Sequence, residues 1–134
     1  MSEYKQYTLD FLKIIGDKTR LDILNFLKDG EKSSAEIQEF LKKSQSTISQ
    51  HLKNLLSQDL IDVIYKEVLL TIENPKKPGE TIDVPKGIKY YKIRNDDFFD
   101  LLGQIESFVA DINKAKLKEV QDLDRKDTLR DLAK

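Results

Sequence analysis

Apolar residues recur at helical spacing through the first half of the chain. Tyr7, Phe11, Ile14 and Ile15 predict a first helix from about Glu3 to Ile15, ended by Gly16. Asp17 is placed to cap a second helix that turns Leu21, Leu24 and Leu27 inward and stops at Asp29-Gly30. Ser33, with Glu36 three residues on, spells a capping box for a short third helix bearing Ile37, Phe40 and Leu41 on one stripe. Lys42-Lys43-Ser44 interrupts the pattern. A fourth helix then runs from Gln45 to about Gln58, with Ile48, Leu52, Leu55 and Leu56 at i, i+4, i+7 and i+8 as a narrow buried face.

The period then changes. Ile61 to Ile72 is rich in β-branched and aromatic residues and predicts a strand. Asn74-Pro75-Lys76-Lys77-Pro78-Gly79 is a turn sequence. Thr81 to Val84 and Ile88 to Ile93 predict the returning strand, interrupted at Pro85-Lys86-Gly87. A turn centred near Lys77 sets Ile72 opposite Ile82 and Leu70 opposite Val84. Asn95 is placed to cap a last helix on which Phe98, Leu102, Ile105, Val109 and Ile112 step by four and three, as in a coiled coil. Beyond Lys114 that spacing degrades and fraying is expected. The order predicts a mainly α fold with a β-hairpin wing: a winged helix-turn-helix with N- and C-terminal dimerisation helices. We expect one domain over residues 1–134, with the helix-turn-helix at 33–58, the wing at 61–93 and the C-terminal helix at 95–125.

The chemistry lies on the fourth helix. If Ile48, Leu52 and Leu55 face inward, the opposite face holds Ser46, Gln50, Lys53 and Ser57, flanked by Thr47, Ser49 and Asn54. No residue from Gln45 to Gln58 is acidic, in a chain with 24 Asp and Glu. A major groove presents base-edge acceptors and donors between phosphate walls, and a carboxylate-free face of Ser, Thr, Gln, Asn and Lys suits it. Gln50 is suited to an adenine edge, and Lys53 and the hydroxyls to phosphates. Ser44, Gln45, Lys42 and Lys43 adjoin this face, and His51 lies at its edge. Lys76 and Lys77 at the hairpin tip either touch DNA or protect an exposed strand edge. Arg20 is expected to pair with a carboxylate.

Composition narrows the alternatives. The chain has 134 residues, enough for one domain with a real core, and no run of apolar residues long enough for a membrane span. Its N-terminus lacks a signal-peptide apolar stretch, so a cytoplasmic location is expected. With no Cys and a single His, thiolate sites and a multi-histidine zinc site within one chain are excluded, and no metal or cofactor is expected. Net charge is −1, but residues 61–94 carry seven Lys/Arg against five Asp/Glu, and residues 95–134 seven against ten. A weakly basic middle and an acidic tail would orient the chain on a polyanion. Neither a phosphate-loop pattern nor a nucleophile elbow is present, so no enzyme is indicated.

Three segments carry a family resemblance. Leu12-Lys13-Ile14-Ile15-Gly16-Asp17-Lys18-Thr19-Arg20-Leu21-Asp22-Ile23-Leu24 resembles the opening of ArsR-type winged-helix regulators. Ser46-Thr47-Ile48-Ser49-Gln50-His51-Leu52-Lys53-Asn54-Leu55 is similar to their recognition helix, and Gly87-Ile88-Lys89-Tyr90-Tyr91-Lys92-Ile93 to their returning wing strand. MarR-type regulators, with their longer wing, are the nearest competitor. The resemblance implies a homodimer that binds double-stranded operator DNA, usually a repressor relieved by an inducer, and it implies that the residue matching His51 approaches the DNA backbone. It leaves room for a small-molecule inducer of unidentified chemistry. The chain departs from the pattern in four places. Gln50 stands where Arg is common, Lys42 and Lys43 replace the Gly and apolar residue of the turn, and the wing is longer than the norm. The family's metal ligands, a Cys pair near the third helix or His and acids on the last, are also absent.

A dimer interface is expected from Phe98, Leu102, Ile105, Val109 and Ile112 with Tyr7 and Phe11. A long striped helix cannot bury its full length on so small a domain. The competing function is a winged helix used for protein contacts, as in an architectural or transcription-machinery component. Gln50 and the modest charge favour that reading, and the acid-free face opposes it.

Overall fold

The computed structural model describes residues 2–132, with the side chains of residues 3–126. It contains two compact units, Met1–Asn95 and a second beginning at Asp96.

In the first unit a 3-10 turn at Ser2–Tyr4 leads into α1 (Lys5–Ile15), followed by α2 (Lys18–Leu27), β1 (Lys32–Ser33), α3 (Ser34–Leu41), α4 (Gln45–Ser57), β2 (Ile61–Glu73) and β3 (Thr81–Ile93). Side-chain caps start three of its helices. The Asp17 carboxylate accepts from the Arg20 amide at 3.0 Å. Ser33 and Glu36 form the reciprocal capping box, at 3.2 and 3.3 Å. Ser44 accepts from the Thr47 amide at 3.2 Å and starts α4. Between α3 and α4 the chain reverses through Lys42 in the left-handed region, φ 54° and ψ 46°. A residue with a Cβ pays roughly 1–2 kcal/mol there, which is why Gly is the common choice.

Ile23, Leu24, Ile37, Ile48 and Leu55 are all at 0% exposure and form the centre of the core. Leu21 is only half-buried and Ile23 takes the inward position. Phe40, expected in the α3 stripe, is instead 62% exposed, its ring stacked on Phe26 at 4.1 Å.

The hairpin has the expected register, with Leu70 opposite Val84 and Ile72 opposite Ile82. Its tip is two successive turns: the Lys77 amide donates to the Asn74 carbonyl and the Glu80 amide to the Lys77 carbonyl. The second turn places Pro78 and then Gly79 at φ 87°, the type II arrangement in which only the third position needs positive φ. The expected interruption at Pro85 does not occur; β3 runs unbroken, with Pro85 opposite Leu69. A third strand, the two-residue β1, was not foreseen. It pairs antiparallel with β3, Lys32 opposite Tyr91, and the sheet order is β1-β3-β2.

The second unit is one helix, α5 (Asp97–Leu132). It starts two residues later than expected and does not stop where the apolar spacing weakens. At 1.5 Å per residue it is about 54 Å long.

Asp17 gives the first test of this architecture. Replacing it with Ala removes the α2 cap and should cost about 1 kcal/mol, read by denaturant unfolding. Its carboxyl is held below the ordinary range by the Arg20 amide and then by the charges of Arg20 and His51, against an opposing effect of burial. The folded state therefore binds this proton less readily than the unfolded chain. The stabilisation is fully present above the ordinary carboxylate value and is lost as pH falls through the lower folded value. The gap between wild type and Asp17→Ala should close in acid; a gap that widens there would rule out this role.

Candidate nucleic-acid interface

The caps and the buried stripe fix how α4 presents its other side. Ile48, Leu52 and Leu55 are buried, and Gln45, Ser46, Thr47, Ser49, Gln50, Lys53 and Ser57 are exposed, with Asn54 half-buried. No acid lies in the first turn, so the positive end of the helix dipole is uncompensated by the helix itself. Within this face the Ser44 hydroxyl is committed to the cap and also donates to the Thr47 hydroxyl at 2.9 Å. Gln45, Ser49, Gln50 and Lys53 make no such local commitment in the hydrogen bonds described.

Lys42 and Lys43 are exposed beside the start of α4, and Lys76 and Lys77 are exposed at the hairpin tip. An open groove of about 510 Å³ separates the N-terminal ends of α3 and α4 from β3. Ser34, Gln45, Ser49, Lys86 and Lys89 line it, with Tyr91 at its floor. Neither Lys89 nor Ser34 is marked by the sequence as a neighbour of α4. Only the pairing of β1 with β3 brings them beside α4, and a two-residue strand leaves no periodic signal to read. Lys66 is occupied elsewhere, in an ion pair with Glu31 and over the Tyr90 ring.

His51 occupies the rear edge of the face and is turned toward the scaffold. Its Nδ1 accepts from the Arg20 guanidinium at 3.2 Å and lies 4.0 Å from Asp17. Because a guanidinium can only donate, the neutral ring carries its proton on Nε2. Arg20 does not make the expected carboxylate bridge. Its Nε donates to the Ile14 carbonyl and its Nη2 to the Lys13 carbonyl, satisfying two free acceptors at the end of α1. One side chain thereby ties α1, α2 and α4 together.

Among the residues expected at a dimer interface, Tyr7 is 70% exposed and Phe11 half-buried. On α5, Ile105, Val109 and Ile112 are exposed and Leu102 half-buried. Phe98 differs: it is buried, its ring edge-on to Phe99 at 5.5 Å. Leu101 and Phe108, outside the expected stripe, are exposed and widen it. Among the described residues no helix is long and apolar enough to cross a membrane, and no group of three or more His, Asp or Glu could hold a metal ion.

Residues 17–63 match the model of the bacterial regulatory protein, arsR family. The arsenical resistance operon repressor of Staphylococcus aureus is 38% identical over 58 residues, 43% of this chain and 55% of that protein. Its Staphylococcus xylosus counterpart is 36% identical over the same length and shares. The chain thus spans about half the length of the curated relatives it matches. Among solved structures, Rv0081 of M. tuberculosis superposes with a TM-score of 0.61 at 18% identity, over 87% of this chain and 98% of that one. The homodimeric winged helix-turn-helix DNA-binding domain of Mb0332 from Mycobacterium bovis gives 0.58 at 22%, over 82% and 83%. These two similarities establish the winged helix-turn-helix fold. The stretch similar to the arsR-family model, residues 17–63, runs from the cap of α2 to the start of the hairpin strand β2 and takes in the whole helix-turn-helix.

Proposed function

We propose that the chain is a DNA-binding transcription regulator, a homodimer that represses without sensing a metal, and that residues 1–134 act as one DNA-binding unit. The observation that carries this reading is the outward face of α4: exposed, rich in donors and free of acids. The relatives named as operon repressors and the homodimeric Mb0332 domain support it. The absence of Cys and the single His support the lack of metal sensing. In this reading Gln50, with Ser46, reads base edges. Lys42, Lys43, Lys53, Lys76 and Lys77 meet phosphates, and Ser44, Gln45, Thr47, Ser49 and Asn54 complete the contact. His51 holds the helix at the correct angle through Arg20. The partners are double-stranded DNA in the cytoplasm, a second copy of the chain, and an inducer of unidentified chemistry.

Fluorescence anisotropy with operator and random duplexes tests the assignment. Gln50→Ala should lose about 1–3 kcal/mol on the operator and little on random DNA. Lys53→Ala should weaken both alike and flatten the salt dependence by about one unit for each phosphate contact removed. Absence of salt-dependent affinity for any duplex would refute the proposal. It would leave the protein-contact reading, which the exposed Phe40 stacked on Phe26 favours.

A further inference from the structure

Beyond β1 the wing ribbon has two open edges, and their chemistry differs. β2 pairs with β3 on one side only, since the sheet order is β1-β3-β2. Which backbone groups face outward follows from the ends of the strand. The Leu60 carbonyl accepts from the Arg94 amide, and the Asn74 amide donates to the Glu80 carbonyl. The register between them is unbroken, so even-numbered residues of β2 bond to β3. Odd-numbered residues from Ile61 to Glu73 therefore turn their N–H and C=O groups outward.

An exposed row of this kind is normally blunted by proline or charge. The outer edge of β3 is. By the same alternation Pro85, opposite Leu69, places its missing N–H on that outer edge, and Lys86 follows it. β2 has no such guard along Val68-Leu69-Leu70-Thr71-Ile72, which is uncharged, free of proline and rich in strand-forming residues. Leu69 is 69% exposed and Ile72 42%. Two strands alone are marginal in water, so a ribbon this apolar gains by pairing again.

We propose that the outer edge of β2 pairs antiparallel with the β2 edge of a second copy of this chain, forming a continuous four-stranded ribbon across a two-fold axis. Charge selects this occupant over DNA. The edge itself, residues 66–73, carries one Lys against two Glu, a net of −1, where an edge built to follow phosphates would be positive; Lys76 and Lys77 at the tip stay available to DNA. The guarded edge of β3 leaves β2 itself as the matching strand. A two-fold centred on Leu70 would set Glu67 against Glu73 of the other copy, twice. Centring on Leu69 avoids this, putting Val68 opposite Leu70 and Glu67 opposite Thr71. The pairing rests on neither the DNA reading nor α5. With a separate α5 interface it would link dimers into larger assemblies.

The test is sedimentation of the intact chain over a micromolar range, without DNA. Leu69→Pro deletes only an outward N–H, and Leu69→Lys puts a charge on an exposed position and covers the case in which proline disturbs the hairpin. Wild type should sediment at no less than about twice the mass of either variant, with the two variants unfolding thermally alike. Because the chain has no cysteine, single variants Val68→Cys, Leu69→Cys and Leu70→Cys report register. Residues directly opposite lie within disulfide reach, and Leu69→Cys should cross-link most completely under mild oxidation. Equal masses for wild type and both Leu69 variants would overturn the proposal, as would failure of all three cysteines to cross-link. So would a Leu69→Lys chain of unchanged mass that binds duplex more tightly, which would place the ribbon on DNA.

Discussion

Replacing both Ile105 and Val109 with Glu is expected to at least halve the mass of the assembly and to weaken its binding to an inverted-repeat operator by at least about a hundredfold. The basis is α5. Its 36 residues carry Leu101, Ile105, Phe108, Val109 and Ile112 as exposed apolar side chains. A single helix cannot cover its own stripe, and each such residue gains roughly 1.5–3 kcal/mol if a partner buries it. Two carboxylates at the centre of the stripe would have to be desolvated unpaired, which costs several kcal/mol. DNA affinity falls when dimerisation is lost because, in the proposed dimer, two copies of α4 about 34 Å apart bind one operator as a linked pair. Sedimentation and anisotropy read the two effects separately. A wild-type chain that is already monomeric at micromolar concentration would end the dimer proposal. A double variant whose mass equals that of wild type would move the interface away from α5.

Ile48→Ala should have the largest effect on stability. Ile48 is at 0% exposure on the inner side of α4, between the cap at Ser44 and the next inward residue, Leu52. Truncation removes apolar contact and leaves a cavity, costing about 2–5 kcal/mol against a total stability of roughly 5–15 kcal/mol. The melting temperature should drop by roughly 10 °C or more. Ile48→Val, which removes one methylene, should cost only about 0.5–1.5 kcal/mol. The same pair should order DNA affinity at raised temperature, because the outward face of α4 is aimed by the inward one. If Ile48→Ala melted within a degree or two of wild type, the assignment of inner and outer faces would be wrong.

Much of this was legible in the residues themselves, for physical reasons that differ from place to place. The caps at Asp17 and Ser33 were readable because capping is local: acceptor and amide lie within three residues; the cap at Ser44 follows the same rule but was not drawn from the interruption Lys42-Lys43-Ser44. The inner stripe of α4 was readable because helical period alone decides which residues share a face. The hairpin register followed from the turn, since a loop centred near Lys77 leaves one way to align strands whose side chains alternate. The break between the third and fourth helices was readable because Lys42-Lys43-Ser44 interrupts the apolar spacing.

Tertiary structure decided what period and local bonding cannot. Pro85 was read as an interruption because a proline cannot donate. Only the pairing shows that its nitrogen points away from β2, where no ladder bond is lost. β1 is too short for any pattern, yet its pairing with β3 sets Lys89 and Ser34 beside Gln45 and Ser49. Phe40 had the spacing of a core residue and lies outside, because the core is closed by Ile37 and the remaining ring surface is shared with Phe26. Arg20 was matched by charge to a carboxylate, but the α1 carbonyls left open by the helix end were nearer. The resulting Arg20–His51 bond joins residues 31 apart. Helical period could place His51 at the edge of the outward face of α4. Which way its ring turned depended on a guanidinium from another helix, and that was decided only when the chain folded.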